Sequence, residues 1–114
     1  MPSDVPVFAA PASWTADVGP VVDGSVRALL GDRGTRLVVD LGATEFLSSA
    51  GLTTLIRLGK RLADAGGALA LARPGPTVVR LLRSVGLTTV LPAFERLDEA
   101  SAFAATARRV GVRS

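Results

Sequence analysis

The segment Arg36–Leu41 constrains the fold more than any other part of the sequence, because its apolar residues are nearly continuous. A strand with one face in water alternates apolar and polar residues, whereas a strand covered on both faces is apolar along its length. This segment therefore predicts a central strand of a sheet. Such strands are typical of α/β proteins with a largely parallel sheet.

The remaining elements support that prediction, since strand and helix patterns alternate along the chain. Pro6 cannot donate a hydrogen bond to a neighbouring strand, so the first strand is predicted to be an edge strand or an irregular one. The predicted strands are Val5–Ala10, Arg36–Leu41, Ala68–Ala72 and a short one within Leu87–Leu91, and the predicted helices begin near Asp17, cover Ala50–Ala65 and Thr77–Val85, and begin again near Asp98. We expect a single α/β domain over residues 1–114, with a small mixed, mostly parallel sheet, four α-helices and a shortened N-terminal edge region over residues 1–15.

The second predicted helix has one apolar face and one polar face. Ser48 or Ser49 suits its N-cap, because a serine hydroxyl can accept a hydrogen bond from a free amide of the first turn. Leu58 lies at the flank of the apolar face and fits either the core or a partner contact. The residues predicted to face inward are Leu52, Leu55, Ile56, Gly59, Leu62 and Ala63, and those predicted to face outward are Thr53, Thr54, Arg57, Lys60, Arg61 and Asp64. Trp14 is predicted to cover the core.

Composition excludes several classes of function. The 114 residues include no cysteine, histidine or tyrosine, which argues against a zinc protein, a hydrolase or an oxidoreductase. The net charge of +3 comes from arginines spread along the chain, which does not favour a nucleic-acid surface. No window has the roughly 20 apolar residues of a membrane span. With no signal-peptide pattern at the N-terminus, we expect a cytoplasmic protein.

The segment Leu37–Leu55 resembles the signature of the STAS domain family, most closely that of the bacterial anti-sigma factor antagonists. In that family a buried strand ends in Asp-Leu, and an apolar pair and an Asp-Ser-Ser-Gly-Leu motif then lead into a helix. Here Ser48 stands in place of the Asp, and Ala50 replaces the second serine. The matching pieces include Asp40-Leu41, Phe46-Leu47, Ser48-Ser49-Ala50-Gly51-Leu52, Gly66-Gly67, Arg73-Pro74-Gly75-Pro76 and Gly86-Leu87. The resemblance as a whole runs over residues 36–107.

The resemblance implies a regulator of sigma-factor-dependent transcription that is not an enzyme and needs no cofactor or metal of its own. Ser49 matches the serine that the switching members carry as a phosphorylation site. In those members the anti-sigma factor is the serine kinase and supplies ATP and metal, phosphorylation releases it, and a phosphatase resets the site. The implied partner-binding residues are Ser48, Ser49, Ala50, Gly51, Thr53, Arg57 and Leu58. We expect a monomer when the protein is free.

Other interpretations of the same residues remain open. Ser48 and Ser49 could serve only as helix caps. The protein could also be a non-switching STAS subunit, such as an accessory of a lipid-transport ATPase or a scaffold of a signalling assembly, that binds its partner constitutively. A small-molecule sensor or transferase lacks support, because no Gly-rich phosphate loop is present. Asp40 ends a strand as a receiver-domain aspartate does, but the acidic pair and the later lysine of that site are missing.

Overall fold

A computed structural model of the protein describes residues 5–31, 34–84, 86 and 91–107. Strands and helices alternate along these residues, which confirms the predicted α/β class. The strands are β1 (Val7–Ala9), β2 (Ser13–Trp14), β3 (Arg36–Asp40), β4 (Phe46–Leu47), β5 (Ala68–Ala72) and β6 (Ala93–Phe94), and the helices are α1 (Gly19–Leu30), α2 (Ser49–Asp64), α3 (Pro76–Ser84) and α4 (Leu97–Thr106), with a short 3-10 helix at Ala16–Val18.

The main sheet has the strand order β1-β3-β5-β6, and each of its strand pairs is parallel. Strand β3 lies inside the sheet, with Val38 opposite both Val7 of β1 and Ala70 of β5. Its residues Leu37 to Val39 are fully buried. The prediction of a central strand covered on both faces is confirmed, and β1 lies at the edge, as the proline before it suggested.

Three short strands differ from the sequence prediction. Neither Ser13–Trp14 nor Phe46–Leu47 was predicted as a strand, yet the two segments pair in parallel in a separate two-stranded sheet. Two residues are too few to show any alternation of apolar and polar side chains. Within Leu87–Leu91, residues 87–90 lie outside the described part of the chain; the last described strand is Ala93–Phe94, which begins just after Pro92 instead of ending there.

The alternation of side chains along β3 and β5 divides the core into two layers. Leu37 and Val39 point toward α1, α2 and α3, where the larger apolar cluster lies. Val38 and Ala70 point to the other face, against α4. Small residues dominate this second layer, because Ala100 and Ala104 of α4 pack directly on the alanines of β5. The sheet is therefore covered on both faces, with most of the apolar volume on the α2 side.

Arg36 attaches the end of α4 to the start of β3. Its Nη1 donates hydrogen bonds of 2.7 Å to the carbonyl oxygens of Ala104 and Ala107. The last carbonyl oxygens of a helix receive no hydrogen bond from within the helix and carry partial negative charge. A guanidinium placed there both donates the missing hydrogen bonds and interacts favourably with that charge. From the sequence, this arginine was predicted only to begin a strand.

Thr54 is the one α2 residue predicted to face outward that lies in the core, where it is only 9% exposed. Its hydroxyl donates to the carbonyl oxygen of Ala50 at 3.1 Å, one turn earlier in the same helix. This bond satisfies the hydroxyl, so the remaining methyl group can pack as an apolar one. Leu58, left open between core and surface by the sequence, is 7% exposed and belongs to the larger apolar cluster.

Replacing Arg36 tests whether its hydrogen bonds to the end of α4 stabilise the fold. Arg36→Met keeps the aliphatic stem but removes the guanidinium and its hydrogen bonds to the carbonyl oxygens of Ala104, Ala107 and Gly66. We expect the free energy of unfolding to fall by about 1.5–3 kcal/mol in urea titration. The matched control is Arg80→Met, at an exposed position of α3. It should change the free energy of unfolding by less than about 0.5 kcal/mol. Equal losses in both variants would show that Arg36 contributes only packing.

Candidate functional site

The two serines that precede and begin α2 have different roles. Ser48 is the N-cap, and its Oγ accepts a hydrogen bond of 3.1 Å from the amide of Gly51. Ser49 is the first helical residue and is exposed. Among the described residues, no hydrogen bond to the Ser49 hydroxyl is present, whereas its backbone carbonyl accepts from the Thr53 hydroxyl at 3.0 Å. The cap and the free hydroxyl are thus separate groups on adjacent residues.

The first turn of α2 has backbone amides that are available to bind an anion. The amide of Gly51 is bonded to the Ser48 side chain, and the amide of Leu52 donates to the Ser48 carbonyl at 2.9 Å. Helix geometry provides no intrahelical acceptor for the amides of Ser49 and Ala50. These amides and the positive end of the helix dipole favour a negative group at this position.

The segment around Trp14 supports the loop that carries Ser48. The amide of Ser48 donates to the Trp14 carbonyl at 2.9 Å, and the amides of Glu45 and Phe46 both donate to the carbonyl of Ala12. One residue earlier, the buried Thr44 hydroxyl donates to the Pro11 carbonyl at 2.9 Å. The start of α2 is therefore fixed by main-chain bonds to a segment more than thirty residues earlier.

Gly51 lets Trp14 lie directly against the first turn of α2. A Cβ at Gly51 would be 3.0 Å from two indole carbons of Trp14 and 2.7 Å from Cδ1 of Leu47. The indole is 1% exposed and meets the ring of Phe8 edge-on at 6.3 Å. Its Nε1 has no hydrogen-bond acceptor among the described residues. Gly51 is thus required by close packing beneath the site, and its own atoms are buried.

An ion pair closes the loop that leaves β3. The Arg73 guanidinium donates to both carboxylate oxygens of Asp40, at 3.0 and 2.7 Å, and the amide of Gly42 donates to the same carboxylate at 2.9 Å. Arg73 has a φ of 55°, which is uncommon for a residue with a side chain. These hydrogen bonds, with Arg73 as the largest contributor, hold the pKa of Asp40 below its ordinary 3.8 despite desolvation. Asp40 therefore has a structural partner and is not a free acidic group.

The predicted partner-binding residues divide between surface and interior. Ser49, Ala50, Thr53 and Arg57 are exposed on the outer side of α2. Ser48 is half-buried and Gly51 is buried beneath it. Leu58 faces a cavity of about 480 Å³ between α1 and the later turns of α2, well away from Ser49. The structure thus brings four of the seven residues to one surface.

Phe46, two residues before the Ser48 cap, has an exposed side chain, although the sequence indicated it only as half of an apolar pair. It is 51% exposed, while the next residue, Leu47, is 7% exposed and lies in the core. Successive side chains of a strand point to opposite faces, but Phe46 and Leu47 are both apolar, so the sequence did not say which of the two faces outward. Only the pairing of β4 with β2 decides that Phe46 does.

The described residues contain no cluster of acidic side chains that could hold a metal ion. None of the helices in the described ranges has the length and apolar character that a membrane span requires.

Placing a methyl group at Gly51 should disturb Trp14, which is the only tryptophan of a chain without tyrosine. In Gly51→Ala, crowding costs about 1–3 kcal/mol, and the better helix propensity of alanine offsets about 1 kcal/mol. We expect lower stability and a shifted tryptophan emission. Gly24→Ala in α1 is the control, since nothing lies within 4 Å of its added Cβ; it should be stabilised, with unchanged emission. Unchanged emission in Gly51→Ala would contradict the packing described here.

The Asp40–Arg73 pair should make stability depend on acidic pH. Because the folded-state pKa of Asp40 lies below 3.8, the pair stabilises the fold fully above that pH, and this contribution disappears as pH falls through the lowered pKa. Asp40→Asn should therefore lower the free energy of unfolding at about pH 7, and this deficit should shrink as the pH falls below 3.8 toward the lowered pKa. Glu45→Gln, at an exposed position, serves as control. A deficit of Asp40→Asn that does not shrink on acidification would contradict a charge-based role.

Comparisons with known proteins agree with this architecture. A crystal structure from Thermotoga maritima, of the protein TM1081 proposed to be an anti-sigma factor antagonist, superposes with a TM-score of 0.77 at 19% identity, covering 93% of this chain and 95% of that one. An NMR structure of the protein TM1081 gives a TM-score of 0.75 at 18% identity, covering 88% and 82%. At these identities the likeness shows a shared fold. A search of curated proteins finds no match.

A sequence model of the STAS domain family matches residues 16–100. The match includes β3, the Ser48–Gly51 motif, the whole of α2 and the turn at Arg73. It extends further toward the N-terminus than the resemblance noted in the sequence, which began at residue 36. With a match over most of its length and the same fold, the chain belongs to the STAS domain family.

Proposed function

We propose that this protein is an anti-sigma factor antagonist that binds an anti-sigma factor with serine-kinase activity and is released when Ser49 is phosphorylated. The observation that carries the proposal is that the two serines at the start of α2 have different roles. Ser48 holds the cap, so the adjacent Ser49 hydroxyl is exposed and free to react. Family membership and the likeness to a protein proposed to be an anti-sigma factor antagonist support it.

In the proposed reaction the Ser49 Oγ attacks the γ-phosphorus of ATP bound to the partner. An O–P bond forms at Ser49, the bond between the γ-phosphorus and the bridging oxygen breaks, and ADP leaves. The hydroxyl proton passes to a base of the partner, which also supplies the metal ion. This chain contributes only the acceptor. A phosphatase would return the serine by hydrolysis.

A phosphate at Ser49 is compatible with the fold. It carries about −1.5 to −2 charges near neutral pH, and the free amides and dipole at the start of α2 favour an anion there. No intramolecular hydrogen bond of the Ser49 hydroxyl within the described residues would be lost. The new charge would instead meet any partner packed against the exposed side of α2. Phosphorylation is therefore expected to end binding without unfolding the domain.

The proposal predicts different outcomes for the two serines. With a candidate anti-sigma kinase and ATP, intact mass should show one added phosphate in wild type and in Ser48→Ala, and none in Ser49→Ala. Ser48→Ala should cost about 1 kcal/mol of stability through the lost cap. Ser49→Asp should bind the kinase at least about tenfold more weakly, equivalent to about 1.4 kcal/mol.

Two results would contradict the proposal. Phosphate on Ser48 instead of Ser49 would show that the capping hydroxyl is the acceptor. Equal binding of all variants, with no added mass, would leave Ser49 without a switching role, and the protein would be a constitutive STAS module such as a scaffold or transporter accessory.

A further inference from the structure

Resting on the proposed function, we infer that the partner docks through an acidic surface with an apolar pocket, with Phe46 filling the pocket and the cations of α2 facing the acidic groups. The inference goes beyond the phosphorylation site, because it specifies the chemistry of the partner and two sets of residues that recognise it. It is carried by the exposure of Phe46 and by the charge of the outer side of α2.

Phe46 has the properties of an interface anchor. Of the described residues, four large apolar side chains are exposed, and Phe46 is the aromatic one, at 51%. The other three, Val7, Val21 and Leu29, lie on β1 and α1. Phe46 is two residues before the cap of α2, on a strand held by main-chain bonds to Ala12 and Trp14. An aromatic side chain on a fixed backbone loses little conformational entropy on binding and often supplies much of the affinity.

The outer side of α2 is basic next to this aromatic residue. Ser49, Thr53, Arg57 and Lys60 are all exposed, and at 3.6 residues per turn they fall within an arc of about 80°. At 1.5 Å per residue they extend over about 16 Å of the helix. Arg61 adds a further exposed cation to α2, in which Asp64 is the one acidic residue. We call the side chains of Phe46, Thr53, Arg57 and Lys60 the docking strip.

Charge complementarity assigns an acidic surface to the partner. Opposite charges across an interface speed association and fix the relative orientation of the two proteins. The same arrangement explains why a phosphate at Ser49 would oppose binding. Ser49 lies between Phe46 and Thr53 in the sequence and begins the helix that carries Arg57 and Lys60. Its phosphate would therefore face the acidic groups of the partner and offset the positive charge of those two residues.

The experiment measures association and dissociation rates with the anti-sigma kinase that phosphorylates the wild type, at low and high salt. Phe46→Ala should dissociate at least about tenfold faster, since a lost anchor acts mainly on the off-rate. Arg57→Glu combined with Lys60→Glu should associate about tenfold more slowly at low salt, with the difference shrinking at high salt. The controls are Leu29→Ala, exposed on α1, and Arg80→Glu, exposed on α3, both expected to bind as wild type does.

The results separate this inference from the proposed function. If Ser49 is phosphorylated but the docking-strip variants bind as the controls do, the inference is overturned while the function stands. If wild type binds no kinase, both fall together. Wild-type binding to vesicles containing phosphatidylserine, lost in the charge-reversal variant, would also overturn the inference, because the basic side would then recognise a lipid surface. Thermal unfolding of each variant checks that lost binding does not reflect lost folding.

Discussion

The burial of β3 on both faces is the constraint on which the rest of the structure depends. Its fully buried residues require helices on each side of the sheet, and this requirement places α2 on one face and α4 on the other. Parallel strands end at the same edge of a sheet, so the loops that follow β3 and β5 meet there. The Asp40–Arg73 pair joins those loops, and the chain then continues from the loop after β3 into the Ser48 cap.

The site itself depends on contacts with the N-terminal segment. Main-chain bonds from residues 45–48 to Ala12 and Trp14 hold the start of α2, and the absence of a side chain at Gly51 allows the indole to pack beneath it. Main-chain hydrogen bonds and buried packing therefore lie beneath an exposed hydroxyl. A modification at Ser49 would change the charge of the surface while the buried contacts below stay in place. This is the arrangement that a binding switch needs if it is to be reversible.

The sequence predicted those parts of the fold that are encoded by long periodic patterns. The bounds of β5, Ala68–Ala72, agree with the prediction, because its run of alanine and leucine is apolar from end to end. The bounds of α2 were predicted to within one residue at each end, because sixteen residues give a clear helical period. Strand β2 was missed, since the two residues Ser13–Trp14 form a strand only through their pairing with β4. Thr54 was placed outward by its polarity, whereas a local hydrogen bond to Ala50 allows it to be buried.

The position of the candidate site could be read from the sequence, but its detail could not. The motif around Ser49 indicated the start of α2 as the place for the proposed switch, yet it could not separate the capping serine from the exposed one. That distinction comes from the geometry of the first turn, where Ser48 reaches the amide of Gly51. Phe46 was missed because its exposure depends on which way a two-residue strand faces. Arg36 was missed because its partners are carbonyls of a helix sixty-eight and seventy-one residues later.

On the proposed function, a phosphate at Ser49 changes the surface and leaves the fold intact. Phosphoserine can be installed at this position by semisynthesis, and the amide spectra of the two forms can be compared by NMR without any partner. We expect chemical-shift changes confined to residues 46–53, with the indole signal of Trp14 and the amides of β3, β5 and α4 unmoved. Changes spread through the sheet and α4 would contradict this expectation, because the modification would then act by altering the fold.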